Sequence, residues 1–111
     1  MPTIVLVRHG RTSANEQGIL AGRSPGVTLD EVGQSQATTL ATRLSTVPFA
    51  TIVTSPLERT RETAAHIHAQ QGQNASEVVV DERFIECDYG TWTGQSLATL
   101  AKESLWKQVQ S

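Results

Sequence analysis

The chain has 111 residues, a formal net charge of -2, 38% hydrophobic and 18% charged residues, and a single cysteine, Cys87. That length suits one domain with a modest core, and the composition is that of a globular chain, neither disordered nor membrane-spanning. The acidic balance offers no general attraction for nucleic acid or an acidic membrane surface, and one cysteine excludes an internal disulfide and a cysteine-built metal centre.

Met1-Pro2-Thr3 leads directly into an apolar run, without the basic, apolar and small-residue order of an export signal, so a cytoplasmic protein is expected. Ile4-Val5-Leu6-Val7 predicts a buried β-strand. It stops at Arg8-His9-Gly10-Arg11, which places His9 at the mouth of a sheet with a cation on either side. Gly10 removes a side chain where another group must come close. Such a histidine is either hydrogen-bonded at a strand end or a neutral nucleophile among cations suited to a phosphate monoester. A loop follows over 12–27, long enough to suggest function. In it Asn15 either donates an amide hydrogen bond to an anion at His9 or closes a local turn. Arg23 is the loop's cation.

Thr28-Leu29-Asp30-Glu31 has the pattern of a capping box and opens a helix predicted to reach Ser45, with Val32, Ala37, Leu40, Ala41 and Leu44 towards one face. Gly33 inside that helix points to close packing on the sheet. Phe49 to Thr54 reads as a second strand. Ser55-Pro56-Leu57-Glu58 then predicts a helix with serine as cap and proline in the first position, continuing to Gln70. Arg59 falls in its first turn, where free backbone N–H groups also favour anions. His66 and His68 lie further along and point in different directions, so a shared metal is not expected. Glu77 to Val80 predicts a third strand, and Asp81 to Gly94 an ordered loop rich in aromatic residues and glycine. Ser96 caps a last helix carrying Leu97, Leu100, Ala101 and Leu105. Cys87, between Glu86 and Asp88, has no adjacent cation to activate it and reads as structural.

Strands alternating with helices predict an α/β fold with a parallel sheet, whose ligands bind beyond the carboxyl ends of the strands. Arg8-His9-Gly10 follows the first strand and Ser55 to Arg59 the second, so His9 and Arg59 meet at one edge if those strands are neighbours. Seven of the nine basic residues are arginines, which favours a small bound anion over a coated polyanion.

Four segments resemble the histidine phosphatase superfamily, also called the phosphoglycerate mutase-like family. They are Leu-Val-Arg-His-Gly-Arg-Thr-Ser-Ala-Asn, Val-Thr-Leu-Asp-Glu-Val-Gly-Gln-Ser-Gln-Ala, Thr-Ser-Pro-Leu-Glu-Arg-Thr-Arg-Glu-Thr-Ala and Ile-Glu-Cys-Asp-Tyr-Gly-Thr-Trp-Thr-Gly, in the family's order. The resemblance implies a three-layer αβα sandwich with a mainly parallel sheet, formed by residues 1–111 as the N-terminal part of a single domain. It implies that His9 becomes a phosphohistidine, that Arg8 and Arg59 clamp the phosphoryl oxygens, that Asn15 assists, and that Glu86 serves as acid and then base. Arg23 and Arg83 would read the rest of a small phosphorylated substrate. With arginines neutralising the phosphate, no metal and no cofactor is expected. Neither His66 nor His68 stands in the context of the family's second histidine. The 111-residue chain is therefore expected to be weakly active or inactive, and an open sheet edge to allow association of copies. Phosphatase activity leads, with a phosphomutase and a non-catalytic phosphate-binding module as the alternatives.

Overall fold

The computed structural model describes residues 3–72, 77–86 and 93–100. Its elements in chain order are α1 (Ser13–Gln17), α2 (Glu31–Leu44), β1 (Ile52–Thr54), α3 (Glu58–Ala69), β2 (Val78–Val80), a 3-10 turn (Glu82–Phe84) and α4 (Leu97–Leu100). Strands β1 and β2 pair in parallel, with Ile52 opposite Val78 and Thr54 opposite Val80. Helix α3 connects them and packs on both, and α2 packs along α3. This is the helix-crossover geometry that a parallel pair requires.

Side chains alternate across a strand, so Ile52 and Thr54 face one way and Val53 the other. Thr54 is buried, whereas Val53 and its register partner Val79 are exposed. The helical layer therefore covers the Ile52–Thr54 face. The core between the helices is built from small residues. Helix α2 buries Gly33, Ala37 and Ala41, spaced four apart on one face, and α3 answers with Thr63, Ala64 and Ile67. The larger Val32, expected on the buried side, is exposed. Small residues let the two helix backbones approach closely, so the packed face is the one with the least side-chain volume.

The predicted first strand is corrected. Residues 4–7 make no ladder hydrogen bonds among the described residues, and Ile4 and Leu6 are 82% and 92% exposed. An apolar run specifies where side chains would prefer to be. A strand additionally needs a neighbouring backbone for its N–H and C=O groups, and among the described residues neither β1 nor β2 pairs with residues 4–7.

The caps also differ from expectation. Asp30, not Thr28, caps α2, its carboxylate accepting the Gly33 N–H at 2.7 Å. Helix α3 starts at Glu58 after Leu57, without a side-chain cap. Ser55 instead pairs its hydroxyl with that of Thr60 at 2.7 Å. The stretch expected as one loop contains α1, opened by a box between Thr12 and Asn15 and closed at Gly18 in the left-handed conformation, φ 67°. Residues beyond Leu100 in the last predicted helix, and Cys87, lie outside the described residues.

Candidate active site

Gly10 sets the position of His9. A Cβ at residue 10 would lie 2.5 Å from the Gly33 carbonyl oxygen, so the turn after His9 rests directly on the backbone of α2. The Gly10 N–H donates to Thr63 Oγ1 on α3 at 3.2 Å. The Gly10 carbonyl lies 2.7 Å from His9 Nδ1. A carbonyl can only accept, so that bond requires the proton on Nδ1 and leaves Nε2 as the free lone pair. Burial pushes the imidazole pKa below its ordinary value. The Gly10 carbonyl opposes this, Arg59 and Arg8 reinforce it, and Glu86 opposes it. The sum favours neutral His9.

Arg59 is 3% exposed, on the first turn of α3. Its Nη2 donates to the Gly22 carbonyl at 2.6 Å. Its Nη1 is buried with no hydrogen-bond partner among the described residues. Burial lowers its pKa, opposed by the charges of Glu86 and Glu58. A guanidinium remains protonated through such a shift. Arg8, His9, Gly10 and Thr63, with Gln36, Ala37 and Leu40 of α2, line a pocket of about 200 Å³. A larger, more open groove of about 470 Å³ runs along α2 past Val32, Thr39 and Arg43 and does not include His9. Of the two, the small pocket is the one lined by His9 and Arg8; Arg59 and Glu86 do not line it.

The segment 18–29 is a strap. Leu20 exchanges backbone bonds with Gly94 and Gln95, at 2.8 and 2.9 Å. Glu58 and Glu62 of α3 accept the N–H groups of Gly26 and Leu29, at 3.1 and 3.0 Å. Two adjacent strap residues then hold two site residues. Gly22 accepts from Arg59, and Arg23 Nε donates to the Glu86 carbonyl at 2.7 Å.

The structure thus brings Arg8, Arg59 and Glu86 within electrostatic reach of His9, and Glu86 within reach of Arg59. Asn15 takes its turn-closing alternative: its Oδ1 accepts from the Thr12 N–H and hydroxyl, both at 3.1 Å. The box leaves the Asn15 NH2 group unused. Arg11, expected to flank the imidazole as a second cation, pairs with Asp30 at 2.5 Å. Burial pushes the Asp30 carboxyl up, but the Gly33 N–H and the Arg11 guanidinium outweigh it and hold the pKa low. Arg83 is turned to Asp81, 2.7 Å away, and holds that carboxyl down at about 2. His66 bonds Gln34 across to α2 at 2.5 Å. Sequence reasoning missed Thr63 and Gly22. The available signal for Thr63 was its position four residues after Arg59, on the same helix face. Among the described residues, no three His, Cys, Asp or Glu side chains are grouped to hold a metal ion, and no helix is long and apolar enough to cross a membrane.

Comparison with known proteins places this arrangement. The family model for histidine phosphatase superfamily (branch 1) matches residues 4–110. A bifunctional protein of Mycobacterium tuberculosis is 39% identical over 101 residues, covering 89% of this chain and 26% of that one. A 2,3-bisphosphoglycerate-dependent phosphoglycerate mutase of Bartonella quintana is 32% identical over 111 residues, covering 97% and 53%. The mycobacterial glucosyl-3-phosphoglycerate phosphatase, solved with VO3, superposes with a TM-score of 0.80 at 28% identity, covering 92% of this chain and 47% of that one. The chain spans about half of the mutase and of the solved phosphatase, and about a quarter of the bifunctional protein. Its fold is that of the histidine phosphatases, and the chain belongs to the histidine phosphatase superfamily, branch 1.

Proposed function

We propose that this chain carries the phosphoryl-accepting half of a phosphatase acting on small phosphorylated metabolites in the cytoplasm. The observation that carries the reading is His9, its Nδ1 held at 2.7 Å by the Gly10 carbonyl, within electrostatic reach of an Arg59 whose Nη1 is buried with no hydrogen-bond partner among the described residues. A buried guanidinium N–H without an acceptor is costly. A phosphoryl oxygen supplies that acceptor, in the charge-assisted geometry arginine favours.

In the proposed reaction, His9 Nε2 attacks phosphorus in line with the ester oxygen. The N–P bond forms as the P–O bond breaks, and Glu86 gives its proton to the leaving alkoxide. Arg8 and Arg59 hold the equatorial oxygens, where charge must be stabilised in the transition state. Asn15, through its unused NH2 group, assists there. Water then attacks the phosphohistidine, Glu86 takes its proton, and inorganic phosphate leaves. Arg23 acts through Glu86, whose main chain it holds. No metal is required by this scheme, since the guanidinium groups carry the neutralisation.

The likeness to a phosphoglycerate mutase supports a second reading, in which a substrate hydroxyl replaces water at the phosphohistidine. The test is trapping rather than turnover. Brief exposure to a radiolabelled phosphomonoester should leave acid-labile, base-stable label on the wild-type chain and none on His9→Ala. Absence of label, with both proteins retaining phosphate equally, would make this a binding module. Discharge faster with an added sugar-acid acceptor than with water alone would favour the mutase.

A further inference from the structure

We infer that Thr63 is a positioning residue, whose hydroxyl sets the nucleophile and the clamp arginine in register. This rests on the phosphohistidine reading above. Thr63 is 3% exposed, on the buried face of α3, one turn after Arg59. Its Oγ1 donates its single proton to the Arg59 carbonyl at 2.9 Å. The same oxygen accepts the Gly10 N–H at 3.2 Å, from a residue 53 positions earlier in the chain. The polarity is fixed, because an amide N–H cannot accept. One oxygen atom therefore joins the peptide carbonyl of the arginine to the amide that follows the histidine.

Gly10 is pinned at its other end as well. Its carbonyl holds His9 Nδ1 at 2.7 Å, and its Cα rests against Gly33. The order of dependence is Thr63 to the Gly10 amide, Gly10 carbonyl to Nδ1, and Nδ1–H to a free Nε2. Thr63 also lines the pocket with Arg8 and His9. Its methyl group alone does not supply this link, so valine, of nearly the same shape, leaves the buried Gly10 N–H without an acceptor. The neighbouring peptide must then rotate to find one, and the imidazole loses its fixed orientation. Serine retains the oxygen.

The expected effect of Thr63→Val is a loss of about 10- to 100-fold in the rate of His9 phosphorylation, the scale of one unsatisfied buried N–H. Thr63→Ser should recover most of it. The imidazole ¹⁵N shifts of His9 give the readout that a merely structural role would leave unchanged. In the wild type and Thr63→Ser they should report protonated Nδ1, and in Thr63→Val a mixture of tautomers. Amide hydrogen exchange in the unaltered chain needs no variant. Gly10 should be protected well beyond Ile4 and Leu6, which lie in the exposed segment. Gly10 exchanging as fast as those residues overturns the inference, as does wild-type tautomer and rate in a folded Thr63→Val. If the wild type itself forms no phosphohistidine, the reading of function fails. The tautomer and exchange data then still decide whether Thr63 positions His9.

Discussion

Replacing Arg59 by methionine separates the cost of folding from the chemistry. The Nη2 bond to the Gly22 carbonyl is charge-assisted and contributes about 1.5–3 kcal/mol to the folded state. Burying Nη1, which has no partner among the described residues, costs a comparable amount in the other direction, about 1–3 kcal/mol. Methionine fills similar volume and removes both effects without adding a buried charge, but it leaves the buried Gly22 carbonyl without its donor. Denaturant unfolding should therefore place Arg59→Met about 1–3 kcal/mol below the wild type. Phosphorylation of His9, followed in single-turnover labelling, should fall by about 10²–10³-fold, as expected when one oxyanion donor is lost. The opposite pattern refutes the reasoning: several kcal/mol of lost stability with labelling at the wild-type rate makes Arg59 a structural cation.

Other consequences follow from the same geometry. In an NMR titration His9 should show a midpoint below 6.5, and Arg8→Gln should move it upward by removing one of the opposing cations. As pH falls through 6.5 the unfolded chain binds a proton before the folded one does, so His9 costs folding stability down to its lower folded midpoint. Glu86→Gln should slow both phosphoryl steps by about 10²–10⁴-fold with an alkyl phosphate. With a nitrophenyl phosphate, whose leaving group needs no acid, only breakdown should stay slow and phosphohistidine should accumulate. Gly33→Ala should lower unfolding free energy by about 1–3 kcal/mol despite alanine's better helix propensity, because the new methyl group would meet the Arg11 carbonyl. Asp30→Ala should cost about 1 kcal/mol in denaturant unfolding by removing the α2 cap.

The candidate site was legible because its parts sit where elements end. His9 ends an apolar run and Arg59 begins a helix, and in an α/β chain those ends converge. Glu86 stands as the proposed acid only through the resemblance, since Asp81 and Glu82 are equally good carboxylates by composition. Local sequence misassigned partners wherever two residues compete for one role. Arg11 has the same charge as Arg8, yet Asp30, which must sit at the start of α2 to cap it, takes Arg11 out of the pocket. Thr28 and Asp30 both suit a cap, and the choice is made by the Thr12–Leu29 bridge, which ends the strap one residue before Asp30. Ser55-Pro56 has the composition of a helix start, but Ser55 finds Thr60 instead. Thr63 gave only its place one turn after Arg59, and nothing local pointed to its second partner, Gly10, 53 positions earlier in the chain. The run Ile4–Val7 shows the limit of hydrophobic pattern. It states a preference for burial, and pairing depends on backbones the pattern does not encode.

The most direct measurement is the position of phosphorus on the imidazole. A ¹⁵N-histidine-labelled chain, phosphorylated and observed for ¹⁵N–³¹P coupling, should show one N–P bond, at Nε2 of His9, because Nδ1 is held by the Gly10 carbonyl. Phosphorus on Nδ1, or on a residue other than His9, contradicts the account.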